Sequence, residues 1–576
     1  MSETNEKPGS AHWYSAVEAP ETVADTSAVH WDMQADLVVV GYGGAGVAAA
    51  VEAAEAGLKV IALDRSGGGG STALNGGVVY AGGGTAIQKQ AGVEDSPQAM
   101  FDYLKGDVQG VVSDQTLRRF CDDSVAMMDW LTQRGVKFDA TRYDAKTSYP
   151  PPGYHLYHSD SSLAATRAAF AKPAPRGHKV WTPGTSRAAI GFGKALTDPL
   201  AATAAGLGVQ FAPYSEVRRL AQDASGRVVG VSVLQFEPGS AAERKYAHAQ
   251  AMATRFLLAL PPAFPMAGLT QAISRWYQRQ ASALESQRQM RRIRATRGVL
   301  LSAGGFVFNP EMVAHHAPKY RSGMPLGNPY DDGSGIRLGQ SVGGAVQRME
   351  HLSAWRFIRP PAGLTWGVVV NGRGRRFTDE TVYGAAIGYE MVEHHGGKAY
   401  VVLDQDLYEQ TLQQLKSKEL YSFQSGPALL ALKFARDKAP TLEALAAKVG
   451  FDPSVLAATV AANNAAVAGT ALDEFGKAAS ERRPIARGPF YAIDISVSSK
   501  LFPLPVLTLG GLVVDEDSGA VRDGAGRNIP GLYAAGRNAI GICSHLYVSG
   551  LSASDCIFSG RRAAQAAAGR QPPLNG

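Results

Sequence analysis

Gly41, Gly43 and Gly46 stand in the run Gly-Tyr-Gly-Gly44-Ala45-Gly, directly after the apolar residues 37–40 and directly before an alanine-rich stretch. That spacing suits a phosphate ligand. The first glycine permits a tight turn, the second lets backbone approach a pyrophosphate, and the third lets a helix pack on its strand. A helix that starts there adds unpaired N–H groups and the positive end of its dipole. Asp64 closes a second apolar run, 59–63, where a carboxylate can accept from a ribose hydroxyl. Arg65 follows, and then a second glycine-rich loop that runs through Gly70, Ser71, Thr72, Asn75, Gly76 and Gly77. A second loop of backbone, hydroxyl and amide donors is what a longer dinucleotide needs on the way from pyrophosphate to flavin. The predicted ligand is therefore FAD. No second nucleotide fingerprint is present, so NAD(P)H is not expected.

The elements that must carry these loops follow from the pattern. Residues 298–301 and 529–534 are apolar runs that end in small residues, Ala303 and Gly304 in one case and Gly536 with Arg537 in the other. Both suit strands passing close under a cofactor. The expected fold class is α/β, a Rossmann-like FAD-binding domain. At 576 residues the chain exceeds what one core supports, so a second domain is expected.

Charge and composition exclude other classes. The net charge of +6 is concentrated: residues 243–297 hold ten Lys and Arg against two Glu, and the remainder is close to neutral. That is a local basic segment and not a nucleic-acid footprint, so no nucleic-acid partner is expected. Cys121, Cys543 and Cys556 show no metal spacing and make a poor disulfide framework, which fits a reducing cytoplasm. The first thirty residues carry no apolar export segment. Within 236–297, residues 256–274 are uncharged and contain three prolines, too short and interrupted to span a bilayer. Arg255, Arg275, Arg279, Arg288, Arg291, Arg292 and Arg294 flank them, with Trp276 and Tyr277 at one border. An apolar centre with aromatic and arginine borders predicts contact of 255–294 with the inner face of the cell membrane; an oligomer contact or a lid is the alternative.

These blocks, in this order, resemble the fumarate reductase and succinate dehydrogenase flavoprotein superfamily. Arg375-Arg-Phe-Thr-Asp-Glu380 looks like its GxRFxxE turn, and Asp331-Asp-Gly-Ser-Gly-Ile336 like its DG turn before a helix. The resemblance implies an α+β catalytic domain inserted into the FAD domain. The expected division is a polar extension 1–30, a first FAD part 31–345 broken by 236–297, a catalytic domain 346–496, and a final FAD part 497–576. Where fumarate reductases carry His-x-Thr-x-Gly-Gly for a dicarboxylate, this chain reads Val506-Leu-Thr-Leu-Gly-Gly511, which suits an apolar substrate. The 71–75 loop lacks the histidine that binds FAD covalently in succinate dehydrogenases, so the FAD is expected to be dissociable. Residues 173–178, 381–384, 546–550 and 558–562 resemble the 3-ketosteroid Δ4-(5α)-dehydrogenases most closely, above all Leu546-Tyr-Val-Ser549-Gly550.

The chemistry this implies is removal of two hydrogens beside a ketone. A proton leaves C4 of a 3-ketosteroid and a hydride leaves C5 for the flavin. Acidifying C4 requires donors on the carbonyl oxygen; the resemblance gives that role to Tyr547 and a backbone N–H near Ser552, whose helix also aims its positive end at the flavin. Ser549 is a poor base alone, and the resemblance pairs it with Tyr383 as a proton relay. Tyr80, Trp355 and Phe357 read first as packing residues, with a place in the pocket wall as the alternative. Desaturation at C1–C2, or an enone reduction, would use the same cofactor. A respiratory electron-transfer subunit is the reading from another class, and the missing histidine weighs against it. The electron acceptor has no signature in the sequence.

Overall fold

The structure is a computed structural model that describes residues 6–183, 191–257, 259, 267–417 and 420–570. Its centre is a nine-stranded sheet. Strand Met33–Val40 runs parallel to Val60–Leu63 on one side and to Gln289–Leu301 on the other, and Asn528–Ala534 runs parallel beside the latter. Val40 pairs with Leu63 and with Leu301, and Leu301 pairs with Ala534. The loops that follow therefore emerge together at one edge, at the carboxyl ends of parallel strands, where such folds bind ligands. Their alternate residues feed two cores. Leu37 and Val39 face one side with helix Gly44–Glu55, while Val38 and Val40 face the other.

Helix Gly44–Glu55 is held under the sheet by helix Leu551–Ala567. At their crossing a Cβ on Gly560 would lie 2.3 Å from the carbonyl oxygen of Ala45, so only glycine allows the approach. A second core is built on the antiparallel strands Val368–Asn371, Ala399–Leu403, Phe490–Asp494 and Arg436–Ala439, and its apolar residues run from Val307 to Val506. A separate small sheet of Val78–Tyr80, Gly177–Lys179, Leu156–Tyr157 and Arg142–Tyr143 packs Val78, Val79 and Tyr157 into the first core.

Two segments differ from their sequence reading. In the stretch read as a polar extension, Trp13, Val17 and Val23 are buried, and Glu21–Val23 adds an edge strand parallel to Glu216–Asp223. The basic segment after Phe236 is a helical hairpin, Ala241–Leu257 and Ala267–Leu284, set into the connection between antiparallel strands Val228–Gln235 and Gln289–Leu301. Three arginines read as its flank are satisfied within the chain: Arg288 by Glu216 at 3.0 Å, Arg292 by Glu21 at 2.7 Å, and Arg291 by Glu237. Most of the proline-bearing centre of the segment, residues 258 and 260–266, lies outside the described residues. Among the described residues no helix is long and apolar enough to cross a membrane.

Candidate active site

The two glycine loops face each other. Gly41 adopts φ +97°, and a Cβ there would lie 2.6 Å from Ser302 and Ala303 backbone; on Gly46 it would lie 1.9 Å from the Gly41 carbonyl oxygen. The Cβ built on Gly43 reaches the Gly70 Cα at 3.7 Å, and the N–H of Gly44 donates to Thr72 Oγ1 at 3.1 Å. Gly43 offers no side-chain cap to the helix that starts after it, which leaves that helix end polar and positive. Asp64 accepts from the N–H groups of Tyr42 and Ser66, both at 2.7 Å, at the tip of its strand. Arg65 is turned toward Asp332 at 2.5 Å and lies over the Tyr330 ring. Asn75 accepts from the Gly77 N–H at 2.7 Å, and the Tyr149 hydroxyl donates to the Gly76 carbonyl at 2.7 Å.

Asp331 binds these loops to the later strand ends. Its Oδ2 accepts from Ser71 at 2.6 Å and from Arg537 at 2.7 Å, and a Cβ on Gly304 would meet its Oδ1 at 2.2 Å. Burial raises the Asp331 carboxyl above the usual range despite the opposing Arg537 and Ser71. Asn538 is fully buried beside Gly335 and Ala303, and among the described residues neither of its side-chain polar atoms has a partner. Unpaired polar atoms at that depth call for a polar ligand.

Beyond the loops lies an apolar cluster of Tyr383, Ala385, Leu507, Leu509 and Tyr547, with Leu326, Trp355 and Phe357 against it. Trp355 stacks on Tyr547 with centroids 4.7 Å apart, Phe357 meets Tyr383 edge-on at 5.5 Å, and the two tyrosines are 6.4 Å apart. Tyr383 caps helix Gly384–His394. Ser549 precedes Gly550, whose φ of +89° starts helix Leu551–Ala567 with no side-chain cap, so the first-turn N–H groups around Ser552 point outward. A Cβ on Gly550 would lie 2.7 Å from the Tyr80 nitrogen. The hydroxyl of Ser549 lies 2.9 Å from that of Tyr157, and Ser549 is close enough to the Tyr383 phenol to oppose the effect of burial on it. Burial pushes all three phenols, Tyr157, Tyr383 and Tyr547, above the ordinary tyrosine range.

Not every expected residue is in the cluster. Tyr80 packs in a different core and donates to Asp160 at 2.8 Å. Val506 belongs to the second core, where it packs on Gly323, while Leu507 and Leu509 belong to the cluster. A strand turns successive side chains to opposite faces, so the neighbours of the replaced histidine position, not the position itself, are apolar toward the site.

Behind Tyr383 sits a buried charged network. Arg376 forks onto Glu380 at 2.9 and 2.7 Å and reaches Asp473 at 2.7 Å; Lys477 meets Glu380 at 3.1 Å and donates to the Gly367 carbonyl at 2.9 Å. Closer still, Lys146 is buried with its ammonium 5.7 Å from the Tyr383 ring centroid, and burial lowers its pKa to about 8.

The profile of the FAD binding domain family matches residues 36–550. The chain is 38% identical over 525 residues to 3-oxo-5-alpha-steroid 4-dehydrogenase of Comamonas testosteroni, covering 89% of this chain and 94% of that one. The chain belongs to this flavoprotein family, in its 3-ketosteroid Δ4-(5α)-dehydrogenase branch. A solved member of that branch, the 3-ketosteroid-delta4-(5alpha)-dehydrogenase of Rhodococcus jostii RHA1 in complex with 4-androstene-3,17-dione, superposes with a TM-score of 0.78 at 30% identity, covering 96% of this chain and 99% of that one. The 3-ketosteroid delta1-dehydrogenase of Sterolibacterium denitrificans shares the fold, with a TM-score of 0.63 at 19% identity and coverage of 93% and 99%. The flavoenzyme uses FAD, and the residues present fit it: an uncapped helix start between two glycine loops, strand ends too close for any side chain, and the unpaired amide of Asn538.

Sequence reasoning missed Tyr157, Asp331 as a tie between loops, Asn538, Leu507 and Leu509. Asn538 and Asp331 stood inside blocks already marked as cofactor strands or turns. Tyr157 had no signal, because it is 392 positions from Ser549 and belongs to no motif.

Proposed function

We propose that this flavoenzyme desaturates a 3-ketosteroid between C4 and C5, with Tyr547 and the Ser552 backbone N–H holding the carbonyl oxygen and Ser549 taking the C4 proton toward Tyr383. The observation that carries the reading is a serine hydroxyl bonded to the Tyr157 phenol and lying close to Tyr383, beside an apolar aromatic cluster that also holds Tyr547. Such walls favour a rigid hydrocarbon and would leave a charged substrate unpaired. FAD, when bound, accepts the C5 hydrogen with its electron pair. The protein's own part is electrostatic and positional. Tyr547 presents a hydroxyl that burial keeps protonated, which makes it a donor toward an enolate-like oxygen. The uncapped start of helix Leu551–Ala567 adds a backbone donor and a positive dipole end. Asp64 and Arg65 would serve the ribose end, and the 41–46 and 70–77 loops with Ala303, Gly304, Gly536 and Arg537 would line the rest of the dinucleotide, held without a covalent link.

The identity of the Comamonas relative and the ligand of the Rhodococcus structure support C4–C5 over C1–C2. Anaerobic mixing of the holoenzyme with a saturated 3-keto-5α-steroid is expected to bleach the visible flavin band and to yield a 4-ene-3-ketone. An unbleached flavin with the 5α and the 5β steroid alike, or a 1-ene product, would overturn the assignment.

A second reading concerns the hairpin. Helix Ala267–Leu284 exposes Leu269 and Trp276 one heptad apart on one face, with Arg275 and Arg279 exposed beside them. Apolar and aromatic residues between arginines support attachment to an anionic membrane surface. The holoenzyme is expected to co-sediment with vesicles of anionic lipid but not with neutral ones, and Trp276→Ala to reduce that binding about tenfold. Equal recovery in the supernatant with both lipids would dispose of this reading.

A further inference from the structure

The Ser549 hydroxyl has one hydrogen and two lone pairs. If it is the base of the proposed desaturation, on which this inference rests, one lone pair must face C4 and its own hydrogen must leave toward Tyr383. The third direction needs a donor, because a buried lone pair left unmatched is unfavourable. Tyr157 stands there, its hydroxyl 2.9 Å away.

The surroundings fix the sense of that bond. Tyr157 is fully buried, and among the described residues its hydroxyl has no second partner. A proton passed from Ser549 to Tyr157 would have nowhere to go. Tyr383 is the group to which the proposed relay leads, and its ring lies beside the Lys146 ammonium. The place of Tyr157 is over-determined: strand Leu156–Tyr157 pairs with Gly177 and His178 on one side and with Arg142 and Tyr143 on the other. A Cβ on Gly177 would lie 2.7 Å from the Tyr157 ring, so a glycine is needed for the ring to lie there. The following residues hold the same two groups by their backbone: the Ser159 carbonyl accepts the Ser549 N–H at 3.1 Å, and Ser161 Oγ accepts the Tyr383 N–H at 2.8 Å. One short segment thus positions both members of the relay.

We propose that Tyr157 is a positioning residue that donates its hydroxyl hydrogen to Ser549 Oγ, so that the serine's own hydrogen is directed at Tyr383 and its free lone pair at C4. Tyr157 neither gains nor loses a proton over the reaction. The proton from C4 ends on Ser549, the serine's hydrogen passes to the Tyr383 oxygen as Tyr383 releases its own hydroxyl hydrogen outward to water, and the C4–H electron pair becomes the second C4–C5 bond as the C5 hydrogen leaves with its pair for FAD. Burial, which keeps the Tyr157 phenol protonated, is consistent with its acting as the donor.

The test uses the FAD-loaded enzyme with a saturated 3-ketosteroid and the same steroid deuterated at C4. Tyr157→Phe keeps the ring and removes the donor. It is expected to lower kcat about 10–100-fold with KM within about threefold, and to enlarge the C4-deuterium effect on flavin reduction. In a Ser549→Ala background the same change is expected to be nearly silent, about twofold or less, because Tyr157 acts through the serine. A kcat within twofold of the parent, or an equal loss in both backgrounds, overturns the inference. Should Tyr157→Phe fail to fold, 3-fluorotyrosine at 157 keeps the shape and strengthens the phenol as a donor; a changed C4-deuterium effect on flavin reduction with KM unmoved supports the donor role, and an unchanged isotope effect overturns it. If the parent enzyme itself does not turn over the steroid, the functional reading has failed and not the role of Tyr157.

Discussion

Ser549→Ala is expected to lower kcat about 10²–10⁴-fold while the enzyme keeps its FAD and its affinity for steroid. The size follows from what the serine does. Proton transfer from a carbon acid needs an acceptor within hydrogen-bond reach, and Ser549 is the group placed for that beside the cluster of Tyr383 and Tyr547. Tyr383 and Tyr157 both reach the serine, yet burial raises both phenols, so neither is a good base by itself. Alanine removes one oxygen from a residue that is nearly buried and leaves the glycine after it, and hence the helix start, unchanged. Binding should therefore survive. Stopped-flow flavin reduction under anaerobic conditions separates the two quantities: the limiting rate should fall and the half-saturation concentration should not. A loss below tenfold would mean that the C4 proton leaves by another group.

Glu380→Gln is expected to destabilise the protein by about 3–5 kcal/mol. Glu380 is fully buried between Arg376 and Lys477, and its Oε1 also accepts the Val369 N–H at 2.8 Å. A neutral amide keeps the volume but leaves the buried Lys477 without its counter-charge, and Asp473 then serves Arg376 alone. Three residues on, Tyr383 rides on the turn that Asp379 forms by accepting from Thr381 at 2.8 Å. Partial loss of relay geometry should accompany the loss of stability. The pH dependence has a definite sign. Burial works to raise the Glu380 pKa, but Lys477 and Arg376 outweigh it and hold it below its ordinary 4.5. A depressed folded pKa gives stability that is complete above the unfolded value and is lost as pH falls through the folded one. Parent and variant should thus differ most in melting temperature near neutral pH and converge as pH falls below 4.5 through the depressed folded value. A difference that stays constant into acid would show that charge is not the cause.

How much was legible beforehand depended on how local each feature is. The cofactor loops were readable because a dinucleotide imposes its demands on consecutive residues: Gly41 and Gly46 must lack side chains, and the contacts that forbid a Cβ there come from their own loop and the adjacent strand end. Tyr383, Tyr547 and Ser549 were reached only through a family likeness, since a tyrosine in an apolar run has no chemical signature of its own. The helical hairpin is legible in the sequence as a basic interruption, read there as a membrane-surface segment or, alternatively, as an oligomer contact or a lid. Its arginines 288, 291 and 292 turned out to answer Glu216, Glu237 and Glu21, which lie at distant positions in the chain.

The sequence by itself determined the nucleotide fold, the cofactor class and the residue types available to the chemistry, because hydrophobic period and glycine spacing act over short stretches of chain. The tertiary structure alone decided which side chains meet. Tyr157 reaches Ser549 because a small sheet is pressed against the start of the last helix. Val506 turns into a core while Leu507 and Leu509 line the site, because strand pairing with Leu352–Ala354 sets which face each residue takes. Such choices depend on packing between segments hundreds of residues apart, and local spacing carries no record of them.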